Sequence, residues 1–397
     1  MSLKIAYVTD ERYPSFHTDC QQVIKTADAL GAVGCEVHLI QPRLAVHYFK
    51  GRDNVKKEIT QAFNVEGHFI LKDIRHFPAS DLRIEKGFHA LLGPLKAMIR
   101  RYDVVHTRNV LTLTVGAALG LPMIYEDYKA LPVTTPRTWW MVRRALGKKG
   151  VLGLVTHSDY AASSMVDKVA DPESVVAIQN GYDPKEFARS PVKAEAKARI
   201  GLSDHTRLAV YTGQVRPDKG THTLMNLAED VSDVHVLLVG GTVEEAATLR
   251  NEAETRGVSN FTAIPQVKVA EVPLYLAAAD VLLLPTAGAP MMKASRATVL
   301  PMKVFSYLAA SRPILAPDLP DTAGILTHDV NCLRVPPDNR EAAADTLNVL
   351  LADRELSARL GRQAAADAKM YSWEERARRL VAFMERRIDT VRGAAAR

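Results

Sequence analysis

A short loop in the second half of the chain carries two cations beside a predicted helix start. The segment 211–221 reads YTGQVRPDKGT. An apolar strand ends at Gly213, the loop carries Arg216 and Lys219, and Thr221 stands where a helix should begin, in the position of a capping residue. Backbone N–H groups at a helix start attract anions, so this arrangement predicts a diphosphate site. A solvated turn without a ligand is the alternative, and a Walker loop is excluded because the lysine precedes the glycine.

A second candidate segment follows a predicted buried strand. Residues 286–305 are rich in small side chains and lead into an apolar helix that begins near Lys303. We expect Lys303, Val304 and Ser306, at the start of this helix, to face the phosphates and the ribose of a nucleotide. The alternative is a flexible surface connection.

Polar residues in the first half follow predicted strands at their carboxyl ends, where doubly wound sheets bind ligands. The loop after the first strand offers Asp10, His17 and Thr18 to a polar acceptor. Two later strands end near His106 and Glu126. A carboxylate in that position can orient a hydroxyl group or accept its proton. A hydrogen-bonded surface role for His17 and a structural role for His106 remain alternatives.

The segment 136–150, PRTWWMVRRALGKKG, combines two tryptophans with four cations. This composition is compatible with a helix that lies on a membrane surface. The same pattern would suit an amphipathic helix that covers a sheet. Both interpretations stay open from the sequence.

The elements that must position these residues alternate between strand and helix. LKIAYVTD, a helical segment and CEVHLIQP form a β-α-β unit, and the alternation starts afresh with RLAVYTG at residue 207. We therefore predict an α/β chain of two Rossmann-like, doubly wound domains that face each other across a cleft. The predicted domains are 1–190 on the acceptor side and 191–371 on the nucleotide side, with a final helix, 372–397, packed back onto the first.

The composition argues against several classes of function. The net charge of +6 comes without an arginine-rich tract, which argues against nucleic acid as a partner. Three scattered cysteines predict neither a disulfide framework nor a metal site. The opening residues show no basic leader and no apolar run reaches transmembrane length, so we expect a cytoplasmic location, with membrane association only through 136–150.

Several motifs together resemble family 4 of the retaining nucleotide-sugar glycosyltransferases, which have the GT-B fold. They are YTGQVRPDKG, HVLLVGG, PMKVFSYLAASRPILA and YSWEERARRL in the second half, with YDVVHTRN and AIQNGYDPKEF in the first. The resemblance implies transfer of a sugar from a nucleoside diphosphate sugar to a saccharide, lipid-linked or small-molecule acceptor, without a metal cofactor. Lys219 matches the family's loop lysine. Gln214 stands at the family's arginine position, and we expect Arg216 to replace that arginine.

The family's two glutamates in this region are replaced by Thr298 and Ser306. Our first interpretation is an active transferase with an altered ribose contact, in which the cations stabilise the departing diphosphate while Glu126 and His106 serve the catalytic, acceptor side. The second is a catalytically silent GT-B protein that acts as a partner or regulator of another transferase.

Overall fold

The computed structural model describes residues 2–13, 15, 18–43, 49–75, 82–216, 220–285 and 299–395. The chain divides into two compact units. The first extends to Asn180 and includes the residues from Trp373 onward, and the second is Gly181–Ser372. Residues 181–190, which the sequence assigned to the first domain, therefore lie in the second unit.

The first unit contains a sheet of seven parallel strands in the order β3-β2-β1-β4-β5-β6-β7. Its elements, in chain order, are β1 (Lys4–Val8), α1 (Thr18–Ala32), β2 (Glu36–Arg43), α2 (Arg52–Phe63), β3 (Ile70–Arg75), α3 (Leu82–Arg100), β4 (Val104–Thr107), α4 (Val110–Ala118), β5 (Met123–Asp127), α5 (Leu131–Thr134), α6 (Pro136–Leu146), β6 (Val151–Thr156), α7 (Asp159–Val166) and β7 (Val175–Ala177). The helices form two layers. In one, α1 packs against α2 and against the final helix, Trp373–Ala395; in the other, α3 packs against α4 and α4 against α6.

The second unit contains a sheet of six parallel strands in the order β10-β9-β8-β11-β12-β13. Its elements are α8 (Pro184–Phe187), α9 (Lys193–Arg199), β8 (Leu208–Thr212), α10 (His222–Asp230), β9 (His235–Val239), α11 (Val243–Arg256), β10 (Phe261–Ile264), α12 (Val272–Ala278), β11 (Val281–Leu283), α13 (Lys303–Ala309), β12 (Ile314–Pro317), β13 (Leu333–Val335), α14 (Arg340–Ala352) and α15 (Arg354–Ala368). The final helix of the chain is α16 (Trp373–Ala395).

The central strands are recognisable in the sequence because a parallel sheet covered on both faces needs continuous apolar runs. Every residue of β6 and of β8 is buried. The edge strand β3, with the sequence ILKDIR, was missed because Lys72 and Asp73 interrupt its apolar character. The α/β class with two doubly wound parallel sheets is confirmed.

The described residues lack both a metal-binding cluster and a membrane-spanning helix. They contain no cluster of three or more histidine, cysteine or carboxylate side chains able to hold a metal ion. Within the same part of the chain, no helix combines the length and the apolar character needed to cross a membrane.

Candidate functional site

The ends of β8 and β9 bring two glycines of the second unit into backbone contact. Gly213 and Gly240 have φ angles of +143° and +151°, which disfavour any residue with a side chain. A Cβ atom on Gly240 would lie 1.8 Å from the carbonyl oxygen of Gly213. The two strand ends therefore pack backbone against backbone at the carboxyl edge of the sheet, the edge at which doubly wound sheets bind ligands.

Lys303, the first residue of α13, reaches this edge. Its Nζ lies 3.5 Å from the centre of the Tyr211 ring, a cation–π contact. The Tyr211 hydroxyl donates a hydrogen bond of 2.9 Å to the carbonyl oxygen of Gln214. A Cβ atom on Gly213 would lie 2.4 Å from the lysine Nζ, so the glycine leaves room for the cation. The structure thus brings together Gly213, Gln214 and Lys303, three of the residues predicted to bind the nucleotide.

Tyr307, one turn after Lys303, holds α13 against the sheet. Its hydroxyl accepts a hydrogen bond of 2.8 Å from the backbone N–H of Thr212 and lies 3.3 Å from the carbonyl oxygen of Leu283. Burial raises the pKa of Tyr307 to about 12, so the hydroxyl stays protonated. This anchor determines where Lys303 lies relative to the end of β8.

The other residues predicted to bind the nucleotide occupy different environments. The Val304 side chain is fully buried in the core, which leaves only its backbone for a ligand, whereas Ser306 is half-buried on α13. Arg216 is exposed. Thr221 precedes α10 without capping it: its hydroxyl donates to the carbonyl oxygen of Arg216, so the predicted capping interaction is wrong. Lys219, like the 286–298 loop and its Thr298, lies outside the described residues.

In the first unit, Glu126 is the centre of a buried polar cluster at the carboxyl end of β5. The side chain is 0% exposed. Three groups donate hydrogen bonds to its carboxylate, Gln22 Nε2 at 2.6 Å, His157 Nε2 at 2.6 Å and Arg376 Nη2 at 2.5 Å. The Tyr7 hydroxyl adds a longer one of 3.4 Å. We call these five residues, with His106 and Asn180, the Glu126 cluster.

His106 lies beside this carboxylate in the neighbouring strand. Its Nε2 is 2.7 Å from Glu126 Oε2, a close polar contact that does not meet the geometry of a hydrogen bond. The imidazole stacks on Tyr7, its partner in the β1–β4 register, with ring centroids 4.5 Å apart. The structure therefore brings together Glu126 and His106, the two predicted catalytic residues, and buries both completely.

The charge on Glu126 is stabilised by its surroundings. Burial alone would raise the pKa of this carboxyl, but the Arg376 guanidinium and the contacts with His106 and His157 hold it well below its usual value. His157 Nδ1 lies 3.2 Å from the Asn180 amide nitrogen, a contact that suits a neutral ring with its proton on Nε2. Burial lowers the pKa of His157 below its usual value, which favours the neutral ring.

Five members of the Glu126 cluster, Tyr7 among them, were missed from the sequence. His157 directly follows β6, and the same carboxyl-end rule that selected His106 would have found it. No comparable local signal marks Gln22 and Arg376, because each looks like an ordinary polar residue of an amphipathic helix. Asn180 follows β7 by three residues and lies in the AIQNG motif.

The predicted acceptor loop of the first unit lies near this cluster. Asp10 accepts a hydrogen bond of 3.0 Å from the Asn109 side chain and pairs with Lys86 at 3.1 Å. Thr18 is the exposed first residue of α1. Arg108 donates to Asp19 at 2.8 Å and to Gln22 at 3.0 Å, which connects the start of α1 to the Glu126 cluster. His17 lies outside the described residues.

Two surface cavities, of about 540 and 380 Å³, lie elsewhere in the first unit. Both border Leu146, Gly147 and Asp171, at the end of α6 and close to the amino end of β6. Ligands of doubly wound sheets bind at the opposite, carboxyl edge, so neither cavity lies at the expected binding position.

We expect the first unit to lose stability on acidification in two steps. The folded state lowers the pKa of His157, so the stability that its neutral ring contributes is lost as the pH falls below the unfolded value of about 6.5. Glu126 also has a lowered pKa, so its contribution persists above about pH 4.3 and is lost only as the pH falls through the folded value. Thermal unfolding between pH 8 and 4 measures the first step, and extending the series to about pH 2 measures the second.

His157→Gln is the control for the first step, because it keeps an amide donor for Glu126 and removes the titrating ring. The variant should show a smaller stability loss between about pH 6.5 and 5 than the wild-type chain. An identical loss in the two proteins would assign that step to another group.

Comparisons with known proteins agree with this architecture. Among solved structures, HepE of Anabaena in complex with UDP has a TM-score of 0.74 at 15% identity, covering 96% of this chain and 100% of that chain. A sucrose-phosphate synthase from Thermosynechococcus elongatus has a TM-score of 0.75 at 17% identity, covering 97% and 98%. The two doubly wound parallel sheets and these similarities define the class: the chain has the GT-B fold.

Sequence comparison finds similar proteins among the glycosyltransferases. Residues 192–367 match the family described as "Glycosyl transferases group 1". A D-inositol 3-phosphate glycosyltransferase of Kineococcus radiotolerans is 24% identical over 307 residues, 69% of each chain. A D-inositol 3-phosphate glycosyltransferase of Streptomyces bingchenggensis is 26% identical over 306 residues, which are 70% of this chain and 65% of the relative. The family match lies within the second unit, which is therefore similar to group 1 glycosyltransferases.

Proposed function

We propose that this enzyme transfers a sugar from a nucleoside diphosphate sugar to a hydroxyl acceptor, with retention of the anomeric configuration. The observation that carries the proposal is the position of Lys303 over Tyr211, next to the backbone of Gly213. A fixed cation beside glycine backbone suits a diphosphate. The UDP complex of HepE supports this donor class, and the names of the relatives support glycosyl transfer.

In this proposal the second unit binds the donor. Lys303 stabilises the negative charge that develops on the departing diphosphate, with Arg216 and Lys219 as the predicted further cations. Gln214 and the backbone of Val304 complete the contacts, and Ser306 faces the ribose. These cations replace the charge that a metal ion supplies in other transferases, so we propose that the donor binds without a metal.

In the first unit, we propose that the loop with Asp10, His17 and Thr18 contacts the acceptor. Arg108 joins Asp19, the residue after Thr18, to Gln22 of the Glu126 cluster. A carboxylate with a strongly lowered pKa is a weak proton acceptor, so Glu126 and His106 act on the reaction chiefly by holding the acceptor side in place. Their direct participation in catalysis stays a prediction, as does a cytoplasmic location.

The experiment that tests the proposal measures both binding and turnover. UDP and a panel of nucleoside diphosphate sugars are titrated calorimetrically, with and without a chelator, and sugar release or transfer is then followed with saccharide, lipid-linked and polyol phosphate acceptors. We expect binding that survives chelation and transfer to one acceptor class. Binding without any hydrolysis or transfer would instead support the catalytically silent regulator, and absence of binding would contradict both.

Replacing Ser306 by glutamate should tighten UDP binding by about 1–2 kcal/mol, roughly five- to thirtyfold. The new carboxylate would accept hydrogen bonds from both ribose hydroxyls, while the pocket shaped around serine limits the gain. Calorimetry with UDP and with its 2′-deoxy analogue measures the effect, and the analogue should gain less. Equal changes for both nucleotides would place the side chain away from the ribose.

A further inference from the structure

Helix α3 presents its large apolar side chains outward. Its inner face consists of His89 and small residues such as Ala90, Gly93 and Ala97, all buried. A Cβ atom on Gly93 would lie 2.5 Å from Cγ1 of Val8 in β1, so the small residues let the helix approach the sheet closely. An ordinary surface helix has the opposite arrangement, with its large apolar residues facing the core.

The outer face of α3 is a continuous apolar stripe. Phe88 is 59% exposed and Ile99 is 79% exposed. With them, at the spacing of one helical face, are four further exposed residues: Ile84, Leu91, Leu92 and Met98. A helix of 19 residues is about 28 Å long, and the stripe extends over nearly all of it. Apolar patches of this kind on a soluble domain mark interaction surfaces.

The two neighbouring helices of the same layer extend the apolar surface. Helix α4 contains no charged residue and exposes Leu111 at its start, and Leu119 directly after its end is exposed as well. Helix α6 exposes Trp140, at 63%, with the Arg144 guanidinium 5.7 Å from its ring centre. We call the outer surface of these three helices the α3–α4–α6 face.

The segment that contains α6 carries only positive charge. No aspartate or glutamate occurs between Asp127 and Asp159, a stretch that includes all of α6. The exposed cations there are Arg137, Arg143, Arg144, Lys148 and Lys149, and Arg100 and Arg101 follow at the end of α3. An apolar surface with a tryptophan, bordered by cations, is complementary to a bilayer that carries anionic headgroups.

We propose that the α3–α4–α6 face binds the surface of an anionic membrane. Large apolar side chains enter the headgroup region, and the cations of α6 contact lipid phosphates. Pairing with a second copy through this face would supply no row of anionic groups for the α6 cations, whereas a bilayer with anionic headgroups does. The inference does not depend on the donor or the acceptor of the transfer reaction.

Vesicle flotation with the full chain tests the proposal. We expect binding to vesicles of equal parts phosphatidylcholine and phosphatidylglycerol, much weaker binding to phosphatidylcholine alone, and weakening by added salt. Ile99→Ser should lower the partition coefficient about tenfold. Val243→Ser, at a similarly exposed site on α11 of the second unit, is the matched control and should leave it unchanged.

The charge requirement is tested by the pair Arg143→Glu and Arg144→Glu, which should lower the partition coefficient at least about tenfold. The pair Arg354→Glu and Arg362→Glu on α15 changes the net charge equally at exposed sites of the second unit and is expected to have little effect. The proposal is overturned if neither vesicle type binds, or if the controls lose as much as the variants. Self-association that Ile99→Ser abolishes, without vesicle binding, would assign the face to a second copy.

Discussion

Replacing Arg376 by methionine is expected to lower the free energy of unfolding of the first unit by about 3–5 kcal/mol. Methionine fills much of the same volume but leaves the buried Glu126 carboxylate without its cation. The guanidinium also donates to the backbone carbonyl oxygens of Ile178 and Gln179, which would lose a buried partner. Denaturant unfolding, followed by a probe in the first unit, measures the loss.

Arg378→Met is the matched control on the same helix. This arginine is exposed and pairs with Glu374 and Glu375 on the surface, so its loss should cost about 0–1 kcal/mol. Adding Glu126→Gln to Arg376→Met should recover part of the large loss, because the uncompensated charge is removed as well. A cost for Arg376→Met no greater than that of the surface control would show that the buried pair does not stabilise the unit.

Replacing Lys303 by alanine is expected to lower kcat about 10²–10³-fold. In the proposed mechanism this cation interacts with the departing diphosphate more strongly as charge develops on it. The start of α13 remains anchored by Tyr307, so the helix should keep its position in the variant. Steady-state kinetics with the preferred donor measures the effect, and the change in thermal unfolding should be small.

Two comparisons separate a phosphate contact from a purely structural cation–π contact. Lys303→Ala should weaken UDP binding far more than uridine binding, because only UDP carries the diphosphate. Lys369→Ala removes an exposed lysine of the same unit and should change neither. Equal losses for UDP and uridine, or unchanged kcat, would place Lys303 away from the reacting phosphate.

Much of the architecture was predictable because its signals are local. Buried parallel strands need continuous apolar runs, and their alternation with helical periodicity indicates doubly wound units. Since the carboxyl ends of such strands share one edge, strand ends alone pointed to Gly213, His106 and Glu126. The edge strand β3 was not predicted, because a strand at the edge of a sheet does not need a continuous apolar run.

The sequence by itself thus determined the two-sheet α/β class and the sheet edges at which polar residues collect. Only the tertiary structure decided which side chains meet there. Glu126 and Arg376 are 250 residues apart, and their pairing depends on how α16 returns to the first unit. The outward orientation of the α3 stripe could not be predicted from the sequence either. Periodicity shows which residues share a helix face, but it does not show which face packs on the sheet. That choice follows from the close approach of Gly93 to Val8, which small residues permit and large ones would prevent.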